Sequence, residues 1–290
     1  MKVLGFGAIL WDEIKGVKKI GGAVFNLLAH MIKLGARAYI ISTLGKDKLG
    51  TRALQSVKSL EIKTDFIKMV DNKTCVVKVK LDDKGVPKYI IENPTSWDFI
   101  DISKDEIERI NRIGFDYFCF GTIEQRNPVN AKSLKKIISN AYFKNVFYDV
   151  NLRSDFYNKA VLEYSLNKCN ILKVNKEEII EIKNIFGLGT YDLADLAKII
   201  SKRFKISIVC ITAGKEGAYV YSNNVFIYCP GYKTRVIDTV GSGDAFGAAF
   251  LTKLSQGSSL KESCDFACKL SAYIASLSGA IPVYDPNSLE

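Results

Sequence analysis

The 290-residue chain contains 48% hydrophobic and 25% charged residues, which is typical of a globular protein long enough to bury a large core. Its net charge of +10 comes from 33 lysines and eight arginines spread along the chain without a basic block, which argues against a nucleic-acid partner. No run of about 18 apolar residues is present, so no membrane-spanning helix is expected.

The first residues, MKVLGFGAILWDE, carry an acidic pair where a signal peptide would need small residues and a cleavage site. We therefore expect an uncleaved cytoplasmic chain. The seven cysteines include no C-x-x-C pair and fall mostly in apolar runs, which predicts reduced thiols in the core.

Strand-like and helix-like runs alternate along most of the chain, which predicts βαβ units around a largely parallel sheet. VLGFGAIL indicates the first strand, and AVFNLLAHMIKLG has the apolar spacing of a helix. A second strand, AYIISTLG, and a second helix, DKLGTRALQSVKSL, follow.

Residues 73–93 interrupt this alternation with a two-strand pattern and a turn at Asp82 to Gly85. We expect this hairpin to form a flap over the edge of the sheet. Ser103 and Glu106 then form a predicted capping box at the start of a helix, and the strand DYFCFGT follows.

The second half of the chain resumes the alternation. We expect a helix near 129–143, strands NVFYDVN and NILKVN, helices within 175–186 and 192–204, the strand ISIVCIT, a hairpin around Asn223 and Asn224, and helices at about 243–256 and 259–278. NVFYDVN and NILKVN end in polar residues, where a parallel sheet presents its carboxyl edge.

Several common site motifs are absent from the sequence. Gly5-x-Gly7 begins a dinucleotide fingerprint that fails at Leu10, and no P-loop sequence occurs. His30 is the only histidine, and we expect it to be a packed or surface residue of the first helix and not part of a catalytic triad. Histidine and cysteine clusters for a metal are equally unsupported.

The stretch GSGD at 241–244 stands where a long apolar helix begins. Unpaired N–H groups and the helix dipole make such a point an anion site, and glycines let the backbone approach a phosphate closely. An aspartate beside that phosphate can take the proton from an attacking hydroxyl. On this stretch alone, an aspartate that only stabilises its own helix explains Asp244 equally well.

Further stretches decide between these alternatives. DTVGSGDAF resembles the second signature of the ribokinase-like (PfkB) sugar kinases, and IGGAVFNLLAHMIKLGA resembles the first. ISTLGKDKLG, DVNLR, LKVNKEE, ITAGKEGAYV and ASLSGAIP have counterparts in the same order, so the resemblance covers nearly the whole chain and is nearest to bacterial fructokinases. It implies an α/β protein with a three-layer α/β/α ribokinase-like fold, a central mostly parallel sheet and a small β lid.

The resemblance also implies the domain organisation and the partners. It predicts one domain over residues 1–290, with the lid formed by about 12–20 and 73–98. It implies ATP and a small-molecule sugar as ligands, and it leaves open a homodimer through the lid.

The resemblance assigns the catalytic residues. Asp244 matches the family's catalytic base, and Gly241, Ser242 and Gly243 match its anion hole. The resemblance thus favours a catalytic role for the GSGD stretch.

The acceptor side is implied by two further matches. Asp12 matches an acid that accepts hydrogen bonds from sugar hydroxyls, although a surface aspartate at a strand end is the alternative. Gly21, Gly22 and Asn26 match the first signature, where bare backbone and an amide meet the sugar, although a plain turn before a helix would also explain the glycines.

Two more residue groups extend the acceptor site. Asn151 and Arg153 belong to DVNLR, which matches fructokinases and 2-keto-3-deoxygluconate kinases, and Arg153 either binds sugar or phosphate oxygens or caps a helix end. Trp97 lies in ENPTSWDFI, which resembles a stretch of bacterial fructokinases, and it either offers an apolar face to the sugar or covers the lid hinge.

The nucleotide side follows from the same resemblance. Asn175 and Glu178 match residues that act through water on the magnesium bound to ATP, although an N-cap with a capping-box acid fits the local sequence equally well. Thr212, Gly214 and Gly217 match the nucleotide loop. Ala267 lies on the adenine-side helix, where many relatives carry asparagine. Some relatives bind a monovalent cation such as K+ near positions 238 and 275–279, and the sequence leaves that requirement open.

The choice of acceptor rests on the lid. Keto-deoxy acid kinases of the family usually hold the substrate carboxylate with a lid tyrosine and arginine, whereas this chain has no arginine between residues 53 and 108. Because a carboxylate buried without a cation is costly, an uncharged sugar is favoured, and we predict conversion of fructose to fructose 6-phosphate. Ribose, another ketose, 2-keto-3-deoxygluconate or a nucleoside is the alternative acceptor, and a non-catalytic sugar-binding member is the alternative from another class.

Overall fold

The computed structural model describes residues 1–14, 16–81 and 87–289. The strands are β1 (Lys2–Phe6), β2 (Leu10–Ile14), β3 (Val17–Gly21), β4 (Arg37–Gly45), β5 (Lys63–Val70), β6 (Val76–Leu81), β7 (Pro87–Ile90), β8 (Phe115–Gly121), β9 (Phe143–Asp149), β10 (Ile171–Asn175), β11 (Ile208–Thr212), β12 (Gly217–Ser222) and β13 (Val225–Pro230). The helices are α1 (Ala23–Lys33), α2 (Lys48–Ser59), α3 (Lys104–Ile113), α4 (Pro128–Asn140), α5 (Lys159–Leu166), α6 (Lys176–Phe186), α7 (Leu193–Phe204), α8 (Ser242–Ser255) and α9 (Leu260–Ala275).

The larger sheet has the strand order β13-β12-β11-β10-β9-β8-β1-β4-β5. All neighbours pair in parallel except β12, which is antiparallel to both β11 and β13, so the mostly parallel sheet expected from the sequence is confirmed. The chain first extends this sheet from β1 toward β5 and then returns to add β8 on the other side of β1. This reversal makes β1 and β8 the topological switch point, beside which open α/β sheets bind their ligands.

Helices cover both faces of the larger sheet. The apolar faces of α1, α2, α8 and α9 share one buried core with the sheet, and those of α3 to α7 share the other. The central strands are buried on both sides, as β4 illustrates, because a parallel sheet between two helical layers leaves no face in water. These two cores make the three-layer α/β/α arrangement.

A smaller sheet with the order β3-β2-β6-β7 forms the lid. Strand β2 is antiparallel to β3 and parallel to β6. The backbone N–H of Trp11 donates to the Cys75 carbonyl at 3.0 Å. The predicted flap is therefore half of a four-stranded sheet. Its predicted turn at Asp82 to Gly85 lies outside the described residues.

Some sequence predictions need correction. VLGFGAIL is not one strand, because β1 ends at Phe6 and Leu10 already belongs to the lid. Strand β5 and helix α5 were not predicted: β5 is an edge strand with three lysines or acids among its eight residues, and α5 has only eight residues. No helix of the described residues is long and apolar enough to cross a membrane.

Candidate active site

A cavity of about 330 Å³ opens at the carboxyl edge of the larger sheet, beneath the lid. We call it the first cavity. Most residues predicted from the sequence for the acceptor and the catalytic step line it, together with three predicted for the nucleotide side. The first group is Asp12, Gly22, Asn26, Trp97, Asn151, Arg153, Gly241, Gly243 and Asp244, and the second is Asn175, Glu178 and Thr212.

A second cavity of about 590 Å³ adjoins the first. Of the predicted residues, Thr212, Gly214, Gly217, Ser242 and Gly243 line it. Thr212, Thr239 and Gly243 line both cavities, so the two spaces meet at the start of α8. This arrangement suits a reaction in which a group passes from a ligand in one cavity to a ligand in the other.

The sequence GSGD forms the first turn of α8. Gly241 is the N-cap with a φ of 80°, and a Cβ there would stand 2.6 Å from the Ala280 backbone, so only glycine fits. Both the N–H and the hydroxyl of Ser242 donate to the Thr239 carbonyl, at 3.2 and 2.9 Å. Helix geometry leaves the N–H groups of Gly243 and Asp244 without acceptors in the helix, so these two amides are the best placed to hold an anion.

Asp244 lies between the anion-binding turn and the first cavity. Its Oδ2 accepts a hydrogen bond of 2.8 Å from the Asn26 amide, which fixes the carboxylate across from α1. Burial and, second, the charge of Asp149 raise its pKa to about 6, although Lys173 and Asn26 act in the opposite direction. A carboxyl with this pKa is mostly ionised at neutral pH and can accept a proton.

An ion pair that we did not predict lies in the floor of the first cavity. Lys173 and Asp149 are paired neighbours on β10 and β9, and the Lys173 ammonium donates to both Asp149 oxygens at 2.9 and 2.8 Å. Burial acts to lower the Lys173 pKa, but Asp149 outweighs it, so the pKa is raised and the lysine is charged. The signal in the sequence was one polar residue near the end of each of two parallel strands. The strand register, which the sequence alone does not give, shows that these two residues are neighbours.

Asp12 and the glycines of the first signature meet at the lid base. Gly21 is not in the lining of the first cavity but lies beside Asp12 on the paired strand, where a Cβ would stand 2.4 Å from Asp12 Oδ2. Burial raises the pKa of Asp12 to about 6, opposed by the charge of Arg153. The lid therefore brings a carboxyl group to the side of the cavity where Arg153 lies.

Asn175 and Glu178 form a full capping box at the start of α6, with the Glu178 N–H donating to Asn175 Oδ1 at 2.7 Å. The two Glu178 oxygens accept from the backbone N–H groups of Leu152 and Asn175, each at 2.9 Å. The capping role left open by the sequence is thus present, and both side chains also line the first cavity. Burial and Asp149 raise the pKa of Glu178.

These residues fit a magnesium ion that is held mainly by its nucleotide. No cluster of three or more histidine, cysteine or acidic side chains that could hold a metal by itself occurs in residues 1–14, 16–81 and 87–289. Glu178 is 7% exposed at the cavity wall, and each of its oxygens retains a lone pair beyond the bonds to Leu152 and Asn175. Magnesium keeps most of its water, so one such carboxylate at the wall is sufficient.

Two of the residues predicted for the site are fully buried. Trp97 is fully buried in a cluster with Ala8, Cys75 and Val77 at the lid base, with the Arg126 guanidinium 4.0 Å from its ring centre. Ala267 is also fully buried and does not line the second cavity. Positions one, four, five and eight residues further along α9 face the cavity instead, because the helix turns Ala267 into the core; they are Cys268, Ser271, Ala272 and Ala275.

His30 is a packed histidine, as expected. It is fully buried, and its ring nitrogens contact the Ala280 carbonyl at 2.9 Å and the Tyr284 hydroxyl at 2.8 Å. Ala280 in turn packs against Gly241. His30 thus supports the segment behind the anion-binding turn and has no place in the chemistry.

Comparison with known proteins places these features in a family. Residues 9–286 match the model of the pfkB family carbohydrate kinases. The chain is 28% identical over 273 residues to an ATP-dependent 6-phosphofructokinase of Thermoanaerobacterium thermosaccharolyticum, covering 91% of this chain and 81% of the relative. It is 25% identical over 293 residues to probable fructokinase-5 of Arabidopsis thaliana, covering 95% and 88%.

The solved structures agree on the fold. The crystal structure of 2-dehydro-3-deoxygluconokinase from Thermotoga maritima superposes with a TM-score of 0.86 at 20% identity, covering 100% of this chain and 98% of that one. At this identity the similarity confirms the ribokinase-like fold and carries no information on the substrate.

Proposed function

Because the chain belongs to the pfkB family of carbohydrate kinases, and is therefore a phosphotransferase that acts on a sugar hydroxyl, we propose that it transfers the γ-phosphoryl group of ATP to fructose at its 6-hydroxyl. The observation that carries the proposal is the position of Asp244. Asp244 lines the first cavity directly after Gly243, which borders both cavities, and it shares its helix turn with free backbone amides.

In the proposed reaction, the acceptor lies in the first cavity and the nucleotide in the second. Asp244 takes the proton of the acceptor hydroxyl while that oxygen attacks the γ-phosphorus in line and ADP leaves. The amides of Gly243 and Asp244 hold the charge on the transferred group. The buried Lys173 ammonium adds positive charge on the same side, 3.5 Å from the point that a Cβ on Gly243 would occupy.

Asn175 and Glu178 would hold the hydrated magnesium ion of the nucleotide, and Thr212, Gly214 and Gly217 would border the nucleotide itself. Bound magnesium neutralises phosphate charge during the transfer. The second cavity suits a nucleoside, since the loop after β13, α8 and α9 give it a partly apolar wall with Tyr232, Phe246 and Ala272.

The acceptor assignment is supported by charge and by one relative. Among the described residues, five carboxyl groups line the first cavity against two cationic side chains, which disfavours an acidic acceptor: the acids are Asp12, Glu124, Asp149, Glu178 and Asp244, and the cations are Arg153 and Lys173. A relative named as a probable fructokinase covers 95% of the chain. Fructose 6-phosphate is a rival acceptor, because another relative is named as a 6-phosphofructokinase, and 2-keto-3-deoxygluconate stays the alternative given by the sequence.

The test is ADP release by the purified protein with ATP, Mg2+ and a panel of acceptors: fructose, ribose, fructose 6-phosphate, 2-keto-3-deoxygluconate and a nucleoside. We expect the highest kcat/KM with fructose. We expect Asp244→Asn to lower kcat by roughly 10²- to 10⁴-fold with little change in the KM for fructose. Activity confined to an acidic acceptor would refute the acceptor, and full activity of Asp244→Asn would refute the mechanism.

A catalytically silent sugar-binding protein is the second candidate, and the same assay decides it. No turnover of any sugar together with sugar binding in calorimetry would favour that candidate. A K+ requirement, a homodimer through the lid sheet and a cytoplasmic location remain predictions. Assays in sodium and potassium salts and gel filtration test the first two.

A further inference from the structure

Glu124 is a buried acid in the first cavity that the sequence analysis did not identify. It belongs to a single turn of 3-10 helix, Ile123–Arg126, directly after β8, and it is 2% exposed. It also borders a small recess beneath the start of α1, together with Asp149 and Asn151. Its carboxyl group therefore lies between the acceptor space and the protein core.

One oxygen of Glu124 has no partner. Oε1 accepts a long hydrogen bond of 3.4 Å from the Ala8 N–H, whereas Oε2 has no hydrogen-bond partner within the described chain. Such an atom is costly in a folded protein, since it has lost its hydration and gained no hydrogen bond in return. A buried carboxyl oxygen without a partner is positioned to accept a hydrogen bond from a ligand.

The surroundings leave this buried oxygen without a partner. A Cβ at Gly121 would stand 2.8 Å from Oε2, so the glycine gives the side chain its space. The guanidinium of Arg126, two residues further along, donates from Nε and Nη2 to the two oxygens of Asp98 at 2.7 Å each, and its Nη1 makes no hydrogen bond to Glu124 among the described residues. No ion pair of Glu124 is found in the part of the chain that the structure describes.

The position of Glu124 is that of a ligand-binding residue. Glu124 follows β8 and Ala8 follows β1, the two neighbouring strands at which the order of the sheet reverses. Ligands of open α/β sheets bind beside this point. Asn26 presents a second unpartnered oxygen, Oδ1, to the same cavity, so two acceptors of hydrogen bonds face the acceptor space.

We propose that Glu124 binds the acceptor and determines its class: Oε2 receives a hydroxyl hydrogen of a neutral polyhydroxy acceptor, and the same group excludes acceptors with an anionic substituent at this end. The proposal rests on the proposed function for the identity of the reaction. Asp149, at the other side of the recess, strengthens the exclusion because a further anion would stand beside two acids. Burial raises the pKa of Glu124 to about 7, so the exclusion of anions weakens as the pH falls below about 7.

The test compares Glu124→Gln and Glu124→Ala with a neighbouring control, Gln125→Ala. Gln125 is also buried but is fully used inside the protein, with its Nε2 donating to the Gly121 carbonyl at 3.1 Å and to Ser165 Oγ at 2.9 Å. The measurements are the KM for fructose, the KM for ATP, calorimetric binding of fructose, and urea unfolding.

For Glu124→Gln we expect the KM for fructose to rise about tenfold, and for Glu124→Ala about a hundredfold, with the KM for ATP within about twofold of the wild type. We expect neither Glu124 variant to be less stable than the wild type, because each removes an unpartnered buried acid. Gln125→Ala should show the reverse pattern, a lower unfolding midpoint with an unchanged KM for fructose. Glu124→Gln should also improve kcat/KM for fructose 6-phosphate relative to fructose by about tenfold.

An unchanged KM for fructose in Glu124→Ala, or a rise that comes with the stability loss of Gln125→Ala, would overturn the proposal. Failure of the proposed function looks different. If the wild type binds fructose without turning it over, the function fails, and the calorimetric affinities of the Glu124 variants still decide the role of Glu124. If the wild type neither binds nor converts any neutral sugar of the panel, both proposals fall.

Discussion

Four carboxyl groups of the first cavity share an unusual property: burial raises the pKa of each above its ordinary value, of Asp12 and Asp244 to about 6, of Glu124 to about 7, and also of Glu178. The four groups perform different proposed tasks in one space. Their titrations will overlap, so solution measurements report the cluster before any one member.

This property gives a prediction for activity against pH. An ionised Asp244 accepts the hydroxyl proton and a protonated one does not, so kcat/KM for fructose should fall tenfold per pH unit below an apparent pKa near 6. The measurement is the pH profile of kcat/KM between pH 4.5 and 8. The pH profile of the Asp12→Asn variant separates the contributions of Asp12 and Asp244. If kcat/KM of this variant still falls below about pH 6, the fall belongs to Asp244. If the fall disappears in this variant, the assignment to Asp244 is contradicted.

The GSGD stretch shows what single residues allowed us to predict. The unpaired amides of a helix start and the glycines predicted an anion site at GSGD, and the resemblance to the sugar kinases selected Asp244 as the base. The structure places this stretch at the start of α8. Lys173 and Glu124 were not predicted as site residues. Lys173 stands in an apolar strand and Glu124 in a polar turn, and the place of each in the cavity depends on strand register and sheet order, which a sequence without coordinates does not give.

At the scale of elements, a buried ion pair helps to hold the lid to the body. Arg126 follows β8, Asp98 lies in the 3-10 turn Ser96–Phe99 after β7, and their side chains are 2% and 0% exposed. Arg126 also contacts the Glu92 carbonyl at 2.8 Å and covers the Trp97 ring. The segment that connects the lid with α3 is held by this guanidinium and by hydrogen bonds that Thr43 and Asn130 donate to its carbonyl groups.

We expect Arg126→Met to lower the free energy of unfolding by about 3–5 kcal/mol, because it leaves the Asp98 carboxylate buried without its cation. Urea unfolding followed by circular dichroism measures this change. The control is Lys46→Met, which removes an exposed pair with Asp71 at 2.9 Å and should cost less than about 1 kcal/mol. Equal effects of the two substitutions would show that burial of the Arg126 pair has no consequence for stability.

The elements themselves were predictable to different degrees. Helices with strong periodicity and caps, such as α3 with its Ser103 and Glu106 box, were placed well. The lid strand β2 was joined to β1 because both are apolar and no turn residue other than Gly7 separates them. Edge strand β5 was missed because its many half-exposed positions give no clear alternation of apolar and polar residues. Such strands also depend on partners far along the chain.

At the scale of the whole molecule, His30 connects α1 to the last residues of the chain. Burial lowers its pKa to about 4, opposed by the hydrogen bond to the Ala280 carbonyl. In the unfolded chain the histidine titrates near 6.5, so between about pH 6.5 and 4 the unfolded state binds the additional proton. The stability that His30 contributes is complete above this range and is lost as the pH falls through it.

We expect His30→Gln to be less stable than the wild type at pH 8 and the difference to shrink by about 2–3 kcal/mol as the pH falls to 4. The quantity to compare is the difference in the free energy of unfolding between the two proteins. The raised pKa values of Asp12, Glu124 and Asp244 stabilise the folded state toward low pH in both proteins, so their effect cancels in this difference. Urea unfolding at four pH values measures it. A difference that is constant with pH would mean that the pKa of His30 is the same in the folded and the unfolded protein.

The common wall of the two cavities also has a pharmacological meaning. Thr212, Thr239 and Gly243 border both spaces, so the two cavities adjoin at the start of α8. A compound that links a nucleoside to a sugar through a phosphate chain would gain the advantage of tethering, since its second half binds at the high effective concentration set by the first. The junction at α8 therefore makes this enzyme a natural target for bisubstrate inhibitors.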